Sequence, residues 1–149
     1  MKKSVSSPYS RPSLKVKKKI LAIDDDEGIR DILKIICEQA GYCIELKSDG
    51  NDVFHNKFVI PDLFLIDKQL SGTNGLDICR YLKGQDKTRA IPVIMISASP
   101  DIGRLSKEAG ADNYIEKPFE ISYLLKMIYQ YTNLGENVTV EPAQPSEIH

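Results

Sequence analysis

Ile20-Leu21-Ala22-Ile23-Asp24-Asp25-Asp26 decides how this chain is read, because four apolar residues run straight into three carboxylates. The pattern recurs. Leu63-Phe64-Leu65-Ile66 runs into Asp67, Val93-Ile94-Met95-Ile96 into Ser97, and Tyr114-Ile115-Glu116 into Lys117-Pro118. Short unbroken apolar runs suit strands buried on both faces of a parallel sheet. If these strands share one sheet, the groups that end them gather at a single edge, where open α/β sheets bind ligands. Acids with one lysine and one hydroxyl at that edge imply Mg²⁺ and phosphoryl chemistry.

Helical patterns fill the intervals between the runs. Ile29, Ile32, Leu33, Ile36 and Ala40 share one helix face, and Gly41 is placed to end that helix. Tyr42, Ile44 and Leu46 alternate as an edge strand does, and a polar helix is predicted from about Asn51 to Lys57. Leu76, Cys79 and Leu82 mark a third helix, and Pro92 opens the next strand. Ser99-Pro100-Asp101 reads as an N-cap with proline at the first helical position, leading a weak fourth helix through Ile102, Leu105 and Ala109 to Gly110. Ile121, Leu124, Leu125 and Ile128 mark a strong last helix. Five β-α units with short right-handed connections give a parallel sheet covered on both faces.

Composition bounds the rest. At 149 residues, 42% hydrophobic and 28% charged, the chain suits one globular domain. No apolar run is long enough to span a bilayer, and Lys2 and Lys3 are not followed by a signal-type apolar stretch. Cys37, Cys43 and Cys79 lack metal-ligand spacing and read as reduced core or half-buried thiols of a cytoplasmic protein. His55 and His149 read as surface residues. Residues 1–19 hold seven basic side chains and no acid, so a net charge of −1 less that +7 leaves −8 for residues 20–149. Residues 1–17 are predicted to be a disordered basic arm, 18–132 the domain and 133–149 a flexible acidic tail. The arm has Tyr9 as its one aromatic and no helical period, so a solubilising role is preferred over binding nucleic acid or a membrane.

Asp24-Asp25, Asp67, Ser97-Ala98 and Lys117-Pro118-Phe119, each at its strand end and in this order, closely resemble the signature of a response-regulator receiver domain, the phosphoacceptor module of two-component signalling. The resemblance spans residues 18–132. It implies a single flavodoxin-like (βα)5 doubly wound sheet of strand order 2-1-3-4-5. Asp24, Asp25 and Asp67 then crowd together, and two like charges about 4 Å apart repel by about 4 kcal/mol at an effective dielectric near 20. Such a cluster needs a cation.

By the resemblance, Asp67 is the phosphoacceptor and Asp25 a direct Mg²⁺ ligand. Asp24 positions metal-bound water, the Gln69 backbone carbonyl is a further ligand, and Asp26 faces solvent. Lys117 holds an acid ionised and later grips a phosphoryl oxygen. The Ser97 hydroxyl and Tyr114 form the switch, Gln69 and Ser99 sit where acyl-phosphate hydrolysis is tuned, and the Lys117-Pro118 bond is expected to be cis. A sensor histidine kinase or histidine phosphotransfer protein is the implied donor. The output is a changed face of the fourth helix, fifth strand and fifth helix, read by a downstream protein or by a second copy in a homodimer. The chain would be no enzyme beyond catalysing its own phosphorylation and dephosphorylation, and it reads as a stand-alone regulator.

The chain departs from the receiver pattern at three places. Ser71 stands where receivers typically carry proline, which predicts a more flexible acceptor loop; Asn74 stands where aspartate is frequent; and Ser97 replaces the commoner threonine. Two rival functions follow. A phosphate-independent receiver-fold adaptor is compatible with the altered loop. A Mg²⁺-dependent phosphohydrolase would need an Asp-x-Asp loop, whereas Asp67 is followed by Lys68-Gln69.

Overall fold

The apolar runs line up side by side in the computed structural model, which describes residues 16–134. The strands and helices run β1 (Lys19–Ile23), α1 (Glu27–Gln39), β2 (Cys43–Lys47), α2 (Asn51–Phe54) and β3 (Leu63–Asp67). They continue with β4 (Gln69–Leu70), β5 (Thr73–Asn74), α3 (Gly75–Lys83), β6 (Val93–Ser97), α4 (Ile102–Ala109), β7 (Asn113–Glu116) and α5 (Ile121–Thr132). The main sheet has order β2-β1-β3-β6-β7, and every neighbouring pair is parallel. With the small β4-β5 hairpin set aside, this is the order 2-1-3-4-5 of the flavodoxin-like α/β fold.

The two-residue period of a strand divides the core in two. Leu21, Ile23, Phe64, Ile66, Val93 and Met95 face α2, α3 and α4, meeting Val53, Leu76, Leu82 and Ile102. Ile20, Ala22, Leu63, Leu65, Ile94, Ile96 and Ile115 face α1 and α5, meeting Leu33, Cys37, Leu124 and Ile128. Each unbroken apolar run thus serves both layers at once. The pairings Ile23 with Ile66, Asp67 with Ile96 and Ser97 with Glu116 keep the carboxyl ends of the strands nearly level.

Local chemistry moves several expected boundaries. The second helix ends at Phe54, short of Lys57, because Asn56 adopts φ 57° and the Lys57 N–H turns back to the Asp52 carbonyl. Ser99 is not a helix cap. Its hydroxyl donates to Asp101 Oδ1 at 2.6 Å, its carbonyl takes the Ile102 N–H in a single turn, and α4 starts only at Ile102. The acceptor loop contains the antiparallel β4-β5 hairpin, with Gly72 at φ 75° in its turn. Cys37 and Cys79 are buried, with burial pushing both thiols up to about 11, while Cys43 is exposed on the edge strand rather than half-buried. His55 is exposed; His149, the arm and the acidic tail lie outside the described residues, apart from 16–17 and 133–134. Among the described residues no helix is long and apolar enough to cross a membrane.

Phe64 is fully buried at the middle of the sheet and meets Phe58 edge to face at 5.9 Å. Phe64→Ala is expected to cost about 3–5 kcal/mol in urea unfolding. Val59→Ala, at a site 65% exposed, is expected to stay within about 0.5 kcal/mol of the parent.

Candidate functional site

Backbone bonds that extend the sheet ladder carry each polar residue to the same edge. The Asp24 N–H donates to the Lys47 carbonyl at 3.0 Å, the Lys68 N–H to Ile96 at 2.9 Å, and the Lys117 N–H to Ser97 at 2.9 Å. Asp24, Asp67 and Ser97 are buried there, and Asp25 is exposed at the rim. One carboxylate oxygen from each of Asp24, Asp25 and Asp67 lies within 4.8 Å of the others. Lys117 Nζ donates to Asp67 Oδ2 at 2.7 Å and to Asp24 Oδ2 at 3.4 Å.

The remaining oxygens are also held. The Asp26 N–H donates to Asp24 Oδ1 at 2.9 Å, and the Gln69 N–H to Asp67 Oδ1 at 3.0 Å. Burial pushes the Asp24 carboxyl up, and the neighbouring Asp67 charge adds to this against the lowering effects of the Asp26 N–H and Lys117. Burial works to lower the Lys117 pKa, but the hydrogen bond and charge of Asp67, joined by Asp24, outweigh it and raise it. Three acids against one lysine leave an excess of negative charge. Their hard oxygen donors converge as a Mg²⁺ site requires, so the residues present fit that ion.

The other expected site residues take definite places. Asp26 is exposed and caps α1, accepting the Ile29 N–H at 3.2 Å. Ser97 Oγ accepts the Ser99 N–H at 3.0 Å, which leaves its own proton out of that bond. Tyr114 is 37% exposed, with its ring outside the site against Gly103 of α4. The Lys117-Pro118 bond is cis. Asn74 caps α3 by accepting the Leu76 N–H at 2.8 Å, a role asparagine fills as well as aspartate.

Sequence reasoning missed three contributors. Arg30 Nη1 binds the Asp24 carbonyl at 2.8 Å. Gly75 leaves room for the Asp67 carbonyl, into whose oxygen a Cβ would press. Ser71 donates twice to Asp25. A glycine directly after a capping asparagine was a readable sign for Gly75; nothing in the sequence pairs Ser71 with Asp25.

Comparison with known proteins agrees with this geometry. Residues 20–129 match the family model of the response regulator receiver domain, and the chain belongs to that family. It is 37% identical to the phosphate regulon transcriptional regulatory protein PhoB of Pseudomonas aeruginosa, over 82% of this chain and 56% of the relative. It is 31% identical to the DNA-binding response regulator MtrA of Mycolicibacterium smegmatis, over 87% of this chain and 55% of that one. The chain thus spans about half the length of these curated relatives. The signal receiver domain of a signal transduction histidine kinase from Syntrophus aciditrophicus superposes with TM-score 0.73 at 30% identity, covering 82% of this chain and 95% of that one.

Folding raises the Asp24 pKa, so the folded state holds that proton more tightly than the unfolded chain. Stability therefore falls as pH rises from the unfolded value through the raised one. Without divalent ions, Asp24→Asn is expected to raise the urea midpoint near neutral pH, with the advantage shrinking toward pH ~4. Gly75→Ala is expected to cost about 1–3 kcal/mol by crowding the Asp67 carbonyl, read in the same assay.

Proposed function

We propose that this receiver domain accepts a phosphoryl group on Asp67 in a Mg²⁺-dependent reaction, from a sensor histidine kinase or a histidine phosphotransfer protein. The observation that carries the proposal is the buried Asp67 carboxylate at the sheet edge, 2.7 Å from Lys117 Nζ and among two further acids. An Asp67 oxygen attacks phosphorus as the phosphorus–nitrogen bond of the donor phosphohistidine breaks, and the released imidazole nitrogen takes its proton from solvent. The new bond is an aspartyl phosphate.

The chain's own part is positioning and charge. The Gln69 N–H fixes one Asp67 oxygen, and Lys117 is placed to move its contact from the carboxylate to a phosphoryl oxygen. Asp25, Asp67 and the Gln69 carbonyl would hold Mg²⁺, with Asp24 orienting its water. The ion supplies neutralisation of the charge gathered by the acids and the phosphoryl group. An apolar groove of about 480 Å³, lined by Ile29, Ile32, Leu33, Pro118, Phe119 and Ile121, opens beside Lys117. That surface supports docking of a protein donor. We assign the chain self-phosphorylation and self-dephosphorylation and no further catalysis, in the cytoplasm.

The switch is proposed to pass through Ser97 and Tyr114. The Ser97 hydroxyl proton turns to a phosphoryl oxygen, the loop to Ser99 draws in, and Tyr114 leaves its exposed place on α4. The face of α4, β7 and α5 then changes for a partner protein or a second copy.

Incubation with acetyl phosphate and Mg²⁺ is expected to add one phosphoryl group by intact mass, and none when the ion is chelated. Asp67→Asn is expected to keep the fold by circular dichroism and to lose the adduct. An adduct formed by Asp67→Asn at the parent rate would refute the assignment.

A further inference from the structure

Ser71 sits at the tip of the β4-β5 hairpin, yet both of its donors point across to a different loop. Its N–H donates to Asp25 Oδ2 at 3.1 Å and its hydroxyl to the same oxygen at 3.0 Å. Leu70 pairs with Thr73, so Ser71 and Gly72 form a two-residue turn, with Gly72 at φ 75°. Proline is common ahead of a glycine in such a turn, and proline is what receivers typically carry at this place. The backbone therefore does not call for serine. What serine adds is a pair of donors, neither of which proline has.

We infer that Ser71 is a positioning residue that holds Asp25 ready for Mg²⁺; this rests on the acids binding that ion. Asp25 is exposed and, untethered, would have to give up rotamer freedom on binding and sit close to two other carboxylates. Two hydrogen bonds to Oδ2 fix the side chain beforehand and spread part of its charge, and neither of them occupies Oδ1. Ordering carried out before binding is not charged against affinity. The same contacts join the acceptor hairpin to the β1-α1 loop, so the two loops that supply ligands are already registered on each other.

Calorimetric titration of Mg²⁺ into folded parent, Ser71→Ala, Ser71→Pro and Ser71→Thr tests this. Ser71→Ala is expected to weaken binding about three- to tenfold, the scale of one hydrogen bond to a partly exposed charge. Ser71→Pro should weaken it at least as much, and Ser71→Thr, which keeps both donors, should match the parent. The Mg²⁺ concentration giving half-maximal phosphorylation from acetyl phosphate should rise in the same ratio, with the rate at saturating Mg²⁺ retained. Equal or tighter binding by Ser71→Ala overturns the inference while leaving the metal site in place. A parent that binds no Mg²⁺ removes both the inference and the reading beneath it.

Discussion

Negative charge forced together at one edge of a sheet, and only partly answered by Lys117, is the constraint on which the rest of this structure depends. Parallel pairing keeps the carboxyl ends of β1, β3 and β6 level, so Asp24 and Asp67 are buried side by side whether or not their charges agree. Lys117 arrives from the last strand, 93 residues after Asp24, and bonds to both acids. Each local arrangement at the edge then serves to make that concentration tolerable. The Asp26 and Gln69 amides point at the buried carboxylates, Arg30 binds the Asp24 carbonyl, and Ser71 holds the exposed Asp25. In the proposed function, a cation or a phosphoryl group entering such a site shifts that balance of charge.

The proposed route from site to surface is short. Ser97 ends β6 beside the acids, and its hydroxyl already organises the loop through the Ser99 N–H. That loop enters α4, an eight-residue helix that buries Ile102, Ser106 and Ala109. Tyr114 rests on α4 at Gly103, where a Cβ would stand 3.1–3.2 Å from the ring and hydroxyl. The absent side chain at Gly103 is thus what makes room for the aromatic on the outside of the fold.

The sheet and the acid cluster were legible in the sequence because one pattern encoded both. An apolar run buried on two faces and ending in a polar residue states the strand, its burial and the position of the site together. Residues whose places depend on chain reversals were less legible. Asn56 takes a left-handed conformation that shortens α2, and Ser99 spends its hydroxyl on Asp101 instead of capping a helix. Both outcomes are made by local hydrogen bonds, the Lys57 N–H to the Asp52 carbonyl and the Ser99 hydroxyl to Asp101. Ser71 illustrates the harder case. Read alone it is a missing proline; in the fold it faces an acid 46 positions away. Contacts of that kind leave no periodic trace, since nothing local to Ser71 requires a partner.

Chemical location of the phosphoryl group tests the central claim most directly. Borohydride reduces an aspartyl phosphate to homoserine, and peptide mass mapping after treatment with acetyl phosphate and Mg²⁺ shows which residue was converted. Conversion is expected at Asp67 and nowhere else. Conversion at Asp24, Asp25 or another acid, or an adduct that resists borohydride because it sits on a hydroxyl, would contradict it.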